Sequence, residues 1–328
     1  MTIKFNNVYL ENVSTVAGPF VIEGPLKDNF DKKFTDFYDG EKTFEKCEMK
    51  ELKESIKILL DKTKYNEEDI SFGISADLMN QLTISNFVYS NLNIPFLGVY
   101  NACASVCEEI LIASSILENE KNKKAICTTS SHNMTSERQF RNPVEYGAPK
   151  PKTTTFTVTG AASLMLTNAK TDIKVTSATI GKVIDMGVDN VFDMGAVMSP
   201  SAAYTLNEHL KQTKTKVSDY DLILTGDLGV YGKDIFKEIC EKEYNIKLDK
   251  NYDDTATMIY DYKENIYAGG SGPACMPLVV YSSIIPKMKQ RIIKKVLLIA
   301  TGALMSPTTC NQKFSIPSVS HAVCLEVI

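Results

Sequence analysis

The sequence predicts an α/β protein built from two similar halves. Two observations carry that expectation: one unit of strand, small-residue turn and helix is written twice, and strand patterns alternate with helical ones along the whole chain. The run Asp69 to Leu78 matches Asp219 to Leu228, each β-rich and each ending in a small residue, Asp and Leu. Each follows a charged helix candidate, Met49 to Thr63 in the first copy and Ala202 to Thr213 in the second. The first copy continues through Asn101-Ala102-Cys103-Ala104-Ser105, a helix, and a strand from Lys123 to Thr129. The second continues through Gly269-Gly270-Ser271-Gly272-Pro273-Ala274, a helix, and a strand from Lys294 to Thr301. Three matches in the same order set an N-terminal half at 1–168 and a C-terminal half at 169–328. Helices of about 12–15 residues between strands imply mostly parallel, buried sheet. Ligands bind at the carboxyl ends of such strands. Both special turns then share one cleft, with Cys103 from the first half and Asp227 and the 269–273 loop from the second.

The stretch Leu97 to Ser105 is the centre of that plan. A short apolar run ends in a small-residue turn bearing Cys103. Val106, Cys107, Ile110, Leu111, Ala113, Ser114 and Leu117 then follow with helical spacing. A thiol at a helix start is favoured as thiolate by the helix dipole. The competing interpretation is a small buried hydrophobe, as most free cysteines are.

Composition narrows the function. The 328 residues are 44% hydrophobic and 23% charged, with net charge −4, as in ordinary globular proteins. No apolar run approaches the ~18 residues that span a bilayer, and the N-terminus is read as lacking a signal-peptide core. Eight cysteines without C-x-x-C pairs read as reduced thiols, not a disulfide frame or zinc site. Slight acidity without a basic block argues against nucleic acid. Only three arginines occur, and Arg138 and Arg141 lie three residues apart. Planar, bidentate carboxylate binding needs arginine, although internal ion pairs also use it. Both sit in an insertion, Ser130 to Pro151, read as irregular backbone and a binding loop or lid. It leads into a strand from Phe156 to Leu166, and residues 184–198 read as a second irregular segment.

The motifs Ile94-Pro95-Phe96-Leu97, Thr129-Ser130-Ser131-His132-Asn133, Glu137-Arg138-Gln139-Phe140-Arg141, Asp193-Met194-Gly195, Ala268-Gly269-Gly270-Ser271-Gly272 and Ala300-Thr301-Gly302-Ala303-Leu304 span nearly the whole chain. With the Leu222 to Leu228 run and the cysteine turn, they resemble the thiolase superfamily, within it the ketoacyl synthase III-like proteins, and most closely the stage V sporulation protein AD family. Two departures are visible: the turn reads Asn101-Ala102-Cys103-Ala104 where Gly-Ala-Cys-Ser is expected, and Pro273 follows the late glycine loop. The resemblance implies a thiolase-like fold, two pseudo-repeated α/β halves with packed mixed sheets and buried helices. It implies binding of dipicolinic acid, pyridine-2,6-dicarboxylate, in support of its uptake into the developing spore. It also implies work beside other stage V sporulation A-operon membrane proteins, on the forespore or spore inner membrane. A homodimer is the fold's usual assembly. No cofactor is expected. Calcium enters only because the ligand chelates it, and Asp253-Asp254 reads as a solvated pair without ligand spacing.

A condensing enzyme of this fold needs donors around its cysteine for a developing oxyanion or enolate. Those positions fall here at Thr225-Gly226-Asp227 and Ser271-Gly272-Pro273, which hold neither imidazole nor amide. An ionised Asp accepts hydrogen bonds only. His209 lies among polar flanks and reads as surface, and His321, on an alternating strand, as structural. His132 stands open between ligand contact and loop anchor. Asp77 and Asp227 occupy equivalent places and read first as helix or turn caps. The alternative for Asp227 is a protonated ring nitrogen or a cation held by the ligand. The expected ligand-binding set is Cys103, His132, Asn133, Arg138, Arg141, Asp227 and Ser271, with Tyr100 or Phe140 as a flat wall and no catalytic or metal-binding residue. Three functions compete: a non-catalytic binder, an acyltransferase using Cys103, and a scaffold with a vestigial cleft.

Overall fold

The structure, a computed structural model, describes residues 1–121, 123–141, 147, 149–261 and 266–328, and its elements follow the order that the repeat dictates. The first half runs β1 (Thr2–Lys4), β2 (Tyr9–Ala17), β3 (Lys32–Lys33), α1 (Phe44–Thr63), β4 (Phe72–Ala76), α2 (Thr83–Tyr89) and β5 (Phe96–Gly98). It continues with α3 (Ser105–Leu117), β6 (Lys124–Ser131), α4 (Asn133–Phe140), β7 (Phe156–Thr157) and β8 (Gly160–Thr167). The second half runs β9 (Ile173–Thr179), α5 (Met194–Thr213), β10 (Leu222–Thr225), α6 (Gly229–Tyr244), β11 (Tyr252–Asp254), α7 (Ala256–Ile259) and β12 (Gly270–Ser271). It ends with α8 (Cys275–Val279), α9 (Ile285–Lys289), β13 (Lys295–Ala303), α10 (Pro307–Asn311) and β14 (Ser318–Val327).

Local chemistry explains the two long helices. Thr43 caps α1 by accepting from Lys46 N, and Phe44, Cys47, Glu48, Glu51, Leu52, Ser55, Ile56 and Leu59 line one buried face. Asp193 caps α5 by accepting from Ala196 N at 3.2 Å. This helix starts eight residues before the candidate at Ala202, and α4 occupies part of the insertion read as irregular. Pro200 hid the start of α5, because proline in a helix interior removes a hydrogen bond. Gly195 and Gly232 let α5 and α6 cross in contact: a Cβ on Gly232 would stand 2.5 Å from Gly195 Cα. The predicted strand 156–166 is broken into β7 and β8, with Gly160 at φ 153 beginning β8.

The strands repeat one order. The sheet path runs β11-β10-β13-β14-β9 and then β2-β8-β6-β4-β5, two five-strand sets in which the equivalent strands follow in reverse order. In each set the outer three strands are parallel: β5, β4 and β6 in one, β11, β10 and β13 in the other. The inner pairings are antiparallel, so the sheet is mixed rather than mostly parallel. The sets join where Tyr9 and Leu10 of β2 pair with Lys174 and Ile173 of β9. Helix α3 and the run from α8 through a π stretch (Val280–Ile284) into α9 are the buried helices, and every residue from Ala274 to Ile285 is buried. Ile110, Leu117, Leu278, Leu298 and Val323 belong to the one large core around them.

Two histidine expectations meet different outcomes. His321 is structural, with Nδ1 accepting from Gly181 N at 3.1 Å. His209 is not on the surface: it is fully buried, 2.7 Å from Thr179 Oγ1 through Nδ1 and 3.0 Å from Tyr220 OH through Nε2. Burial lowers its pKa to about 4. The polar residues that make this stretch look solvent-facing, Thr205 and Asn207, are themselves buried against the sheet.

Several acids are also buried. Glu48 accepts from Ser130 Oγ at 3.0 Å and Thr135 Oγ1 at 3.1 Å, and burial, with Asp77 nearby, pushes its pKa to about 8. The folded state therefore holds this proton more tightly than the unfolded chain, and the associated stability is lost as pH rises from about 4.5 toward 8. In Glu48→Gln, the fall in unfolding free energy across that window should be shallower by about 1.4 kcal/mol per pH unit, measured by urea titration. An unchanged slope would show that Glu48 is ionised in the fold.

Candidate active-site cleft

The cysteine turn is held by both halves. Ala102 sits in the left-handed region at φ 49, a conformation that costs a non-glycine residue about 1 kcal/mol or more. Ser105 Oγ fixes it, accepting from Asn101 N at 2.9 Å and donating to Ala102 O at 2.8 Å. From the second half, Asn101 Nδ2 lies 3.2 Å from His321 Nε2. Gly302 near the end of β13 abuts the same turn, where a Cβ would come within 2.1 Å of Asn101 O. Cys103 is left half-buried at the start of α3. The nearby N–H groups of Ala104 and Ser105 already donate to Asn101 O and Ala102 O.

The helix start does not activate this thiol. Burial and the neighbouring Asp227 carboxyl push the Cys103 pKa well up, against weaker opposing effects of the Gly272 N–H and Arg141. Asp227 is itself buried at φ 65. Its Oδ2 accepts from Gly272 N at 2.7 Å, while no geometric hydrogen bond to Oδ1 is present among the described residues. Burial raises its pKa to about 8, with Asp254 adding to the rise.

The two equivalent aspartates differ. Asp77 caps as read, accepting from Met79 N at 2.9 Å and Ser85 N at 2.8 Å. Asp227 does not cap α6. Asp254 does, accepting from Leu228 N at 3.2 Å and Gly229 N at 3.0 Å, as well as Thr225 Oγ1 and Ala256 N. Asp254 is therefore fully buried rather than solvated, and burial raises its pKa to about 6. Asp253 matches the expectation better, half exposed beside Lys233.

A cavity of about 510 Å³, its open mouth included, lies over Cys103. Of the expected binding set, it gathers Cys103, Arg141 and Ser271 on its wall, with Tyr100 and Phe140 as aromatic neighbours. Asp227 stands behind Cys103 and Gly272. The other three lie elsewhere. His132 is buried between Phe37 and Phe44 with Nε2 3.0 Å from Phe37 O, and Asn133 bonds Thr157 O and Thr159 Oγ1. Arg138 is exposed and paired with Glu45. Arg141 is the buried arginine: its Nη1 donates to Glu137 Oε1 at 2.6 Å and its Nε to Val191 O at 3.3 Å. Sequence reasoning missed Ser136, Met194, Met198 and Met305, which also line the cavity. Met194 and Met198 lie on the part of α5 hidden by Pro200, and Ser136 sits just before the arginine motif without a distinguishing signal. Among the described residues, no group of three or more His, Cys, Asp or Glu is placed to hold a metal ion.

Comparison with known proteins follows from this geometry. A family profile for Stage V sporulation protein AD matches residues 1–326. Stage V sporulation protein AD of Bacillus subtilis (strain 168) is 40% identical over 319 residues, covering 97% of this chain and 94% of the relative. The 3-oxoacyl-[acyl-carrier-protein] synthase III of Aquifex aeolicus VF5 superposes with a TM-score of 0.59 at 12% identity, over 97% of this chain and 99% of that one. A variant of OleA from Xanthomonas campestris gives a TM-score of 0.61 at 15% identity, over 99% of both chains. The fold is thus thiolase-like, shared with condensing enzymes, and the chain belongs to the Stage V sporulation protein AD family.

The coupling of Cys103 to Asp227 is open to test. Near pH 9, above the Asp227 pKa of about 8, the ionised carboxylate opposes thiolate formation. Asp227→Asn should therefore speed iodoacetamide labelling of Cys103 at pH ~9 by up to about tenfold, and far less at pH ~7. Peptide mapping reads the site; equal acceleration at both pH values would disprove the coupling.

Proposed function

We propose that this member of the Stage V sporulation protein AD family binds dipicolinic acid in the cleft over Cys103 without transforming it, supporting its uptake into the developing spore. The observation that carries this reading is Arg141. Its Nε and Nη1 are fixed by protein oxygens, while Nη2 makes no hydrogen bond among the described residues. A buried guanidinium so held is pre-organised for one carboxylate. Among the described residues the cavity wall holds no second cation, so the other carboxylate meets neutral donors. Ser136 Oγ, buried on the wall and without a partner, is one, and Ser271 and the Cys103 thiol are others. Tyr100 and Phe140 supply flat apolar surface for a pyridine ring.

The same residues argue against acyl transfer. Cys103 is held as a thiol beside a carboxyl rather than an imidazole. The Gly272 N–H, one donor near the cysteine, is occupied by Asp227. Missing oxyanion donors cost on the order of 10²–10³ in rate per group. Calcium reaches the cleft in this reading only on the ligand that chelates it. No described helix is long and apolar enough to cross a membrane. Association with the spore inner membrane is therefore proposed to run through the other A-operon membrane proteins, with the chain acting as a homodimer.

Calorimetric titration with dipicolinate, with and without calcium, tests the reading against pyridine and a pyridine monocarboxylate. Saturable binding should require both carboxylates and vanish in Cys103→Tyr. It should weaken about 10–100-fold in Arg141→Gln, as expected for a lost charge-assisted hydrogen bond, and several-fold in Ser136→Ala. Thermal melts of each variant separate lost binding from lost folding. Absence of binding by the wild type, with acylation of Cys103 by an acyl-CoA, would overturn the proposal in favour of an acyltransferase.

A further inference from the structure

The repeat allows the chain to be compared with itself. Helices α1 and α5 both end at a lysine in the left-handed region, Lys64 and Lys214, 150 residues apart. Each is followed by a one-turn 3-10 helix, Glu67–Asp69 or Val217–Asp219, and then by β4 or β10. At the first of these ends, the chain closes over itself. Asn93 N donates to Glu67 Oε2 at 2.6 Å, and Asn93 Nδ2 lies 3.4 Å from Glu68 Oε1.

At the second end the acidic positions are basic or neutral and the space is open. Asp61, Asn66, Glu67 and Glu68 are matched by Lys211, Lys216, Val217 and Ser218. The next helix also differs, with 7 residues in α2 against 16 in α6. Between the carboxyl ends of α5 and α6 lies a groove of about 1520 Å³, its open mouth included. Its floor is apolar, with Leu210 buried and Val217, Tyr244 and Ile246 half-buried. Its rim carries Lys211, Lys216, Lys247 and Lys250, all exposed, against one carboxylate, Asp249. None of the four lysines forms an ion pair among the described residues.

We propose that this groove docks an acidic segment of a partner protein, with apolar side chains seated on the floor and carboxylates on the lysine rim. The recessed apolar floor favours a peptide over a flat lipid surface, which would meet the lysines but not Leu210 or Ile246. The difference between halves points to recognition, because Glu67 and Glu68 are bonded to Asn93 whereas the four rim lysines form no ion pair among the described residues. This surface is separate from the cleft over Cys103 and shares no lining residue with it.

The probe is a fluorescein-labelled peptide of alternating glutamate and leucine, titrated with the full chain by anisotropy. Binding should fall about tenfold in the double variant Lys211→Glu, Lys247→Glu, which removes two of the four rim cations and sets two anions in their place. It should weaken with added salt and stay unchanged in Lys64→Glu. No binding, equal binding of a lysine–leucine peptide, or equal loss in Lys64→Glu would each overturn the proposal. Binding of phosphatidylglycerol vesicles in place of the peptide, abolished by the double variant, would overturn it in favour of a lipid surface.

Discussion

The cleft depends on two helices that enter the core with their first turns buried. Ser105 to Cys107 of α3 and the run from Ala274 to Ile285 are buried throughout, so the turns that begin them meet each other rather than water. That is why Cys103 before α3 and the Ser271–Cys275 stretch at α8 converge on one carboxyl, Asp227. The same burial governs the polar groups these helices carry. Glu109 on α3 is buried with Oε1 unpartnered, and burial pushes its pKa well up. An isolated charge in such surroundings is costly enough that the group keeps its proton instead.

A change of cap gives the second half its chemistry. In the first half, the aspartate after the strand caps the next helix; in the second, a residue at the end of the edge strand β11 takes that task. Asp227 is then available to stand against a thiol. In a thiolase-like frame, this sets a carboxyl at the centre of the cleft, where it helps to keep the Cys103 sulfur protonated.

The repeat made much of this legible. The matched runs ending at Leu78 and Leu228 lead to the parallel strands β4 and β10, and the small-residue turns lead to the cleft. The inner antiparallel strands were harder to read, because a buried β14 or β8 carries the same apolar signal in either direction. Single-sequence patterns also treat polar residues as exposed, and this chain buries many of them. His209, Asp254 and Glu48 each satisfy at least one buried hydroxyl or N–H, a role visible only when their partners arrive from distant strands. Of the two close arginines, the sequence does not distinguish the surface pair of Arg138 from the buried Arg141. Residues 142–146 and 148 of the expected lid lie outside the described residues.

The retained protons have an electrophoretic consequence. The formal charge of the chain is −4, counting every carboxylate as ionised. Burial pushes Glu48 and Asp227 up to about 8 and Glu51 and Glu109 well up, so near neutral pH the folded molecule carries less negative charge than the formal value. It is then a weaker anion than its unfolded chain. Long-range repulsion between copies or partners is reduced accordingly, and local surface features weigh more in their contacts.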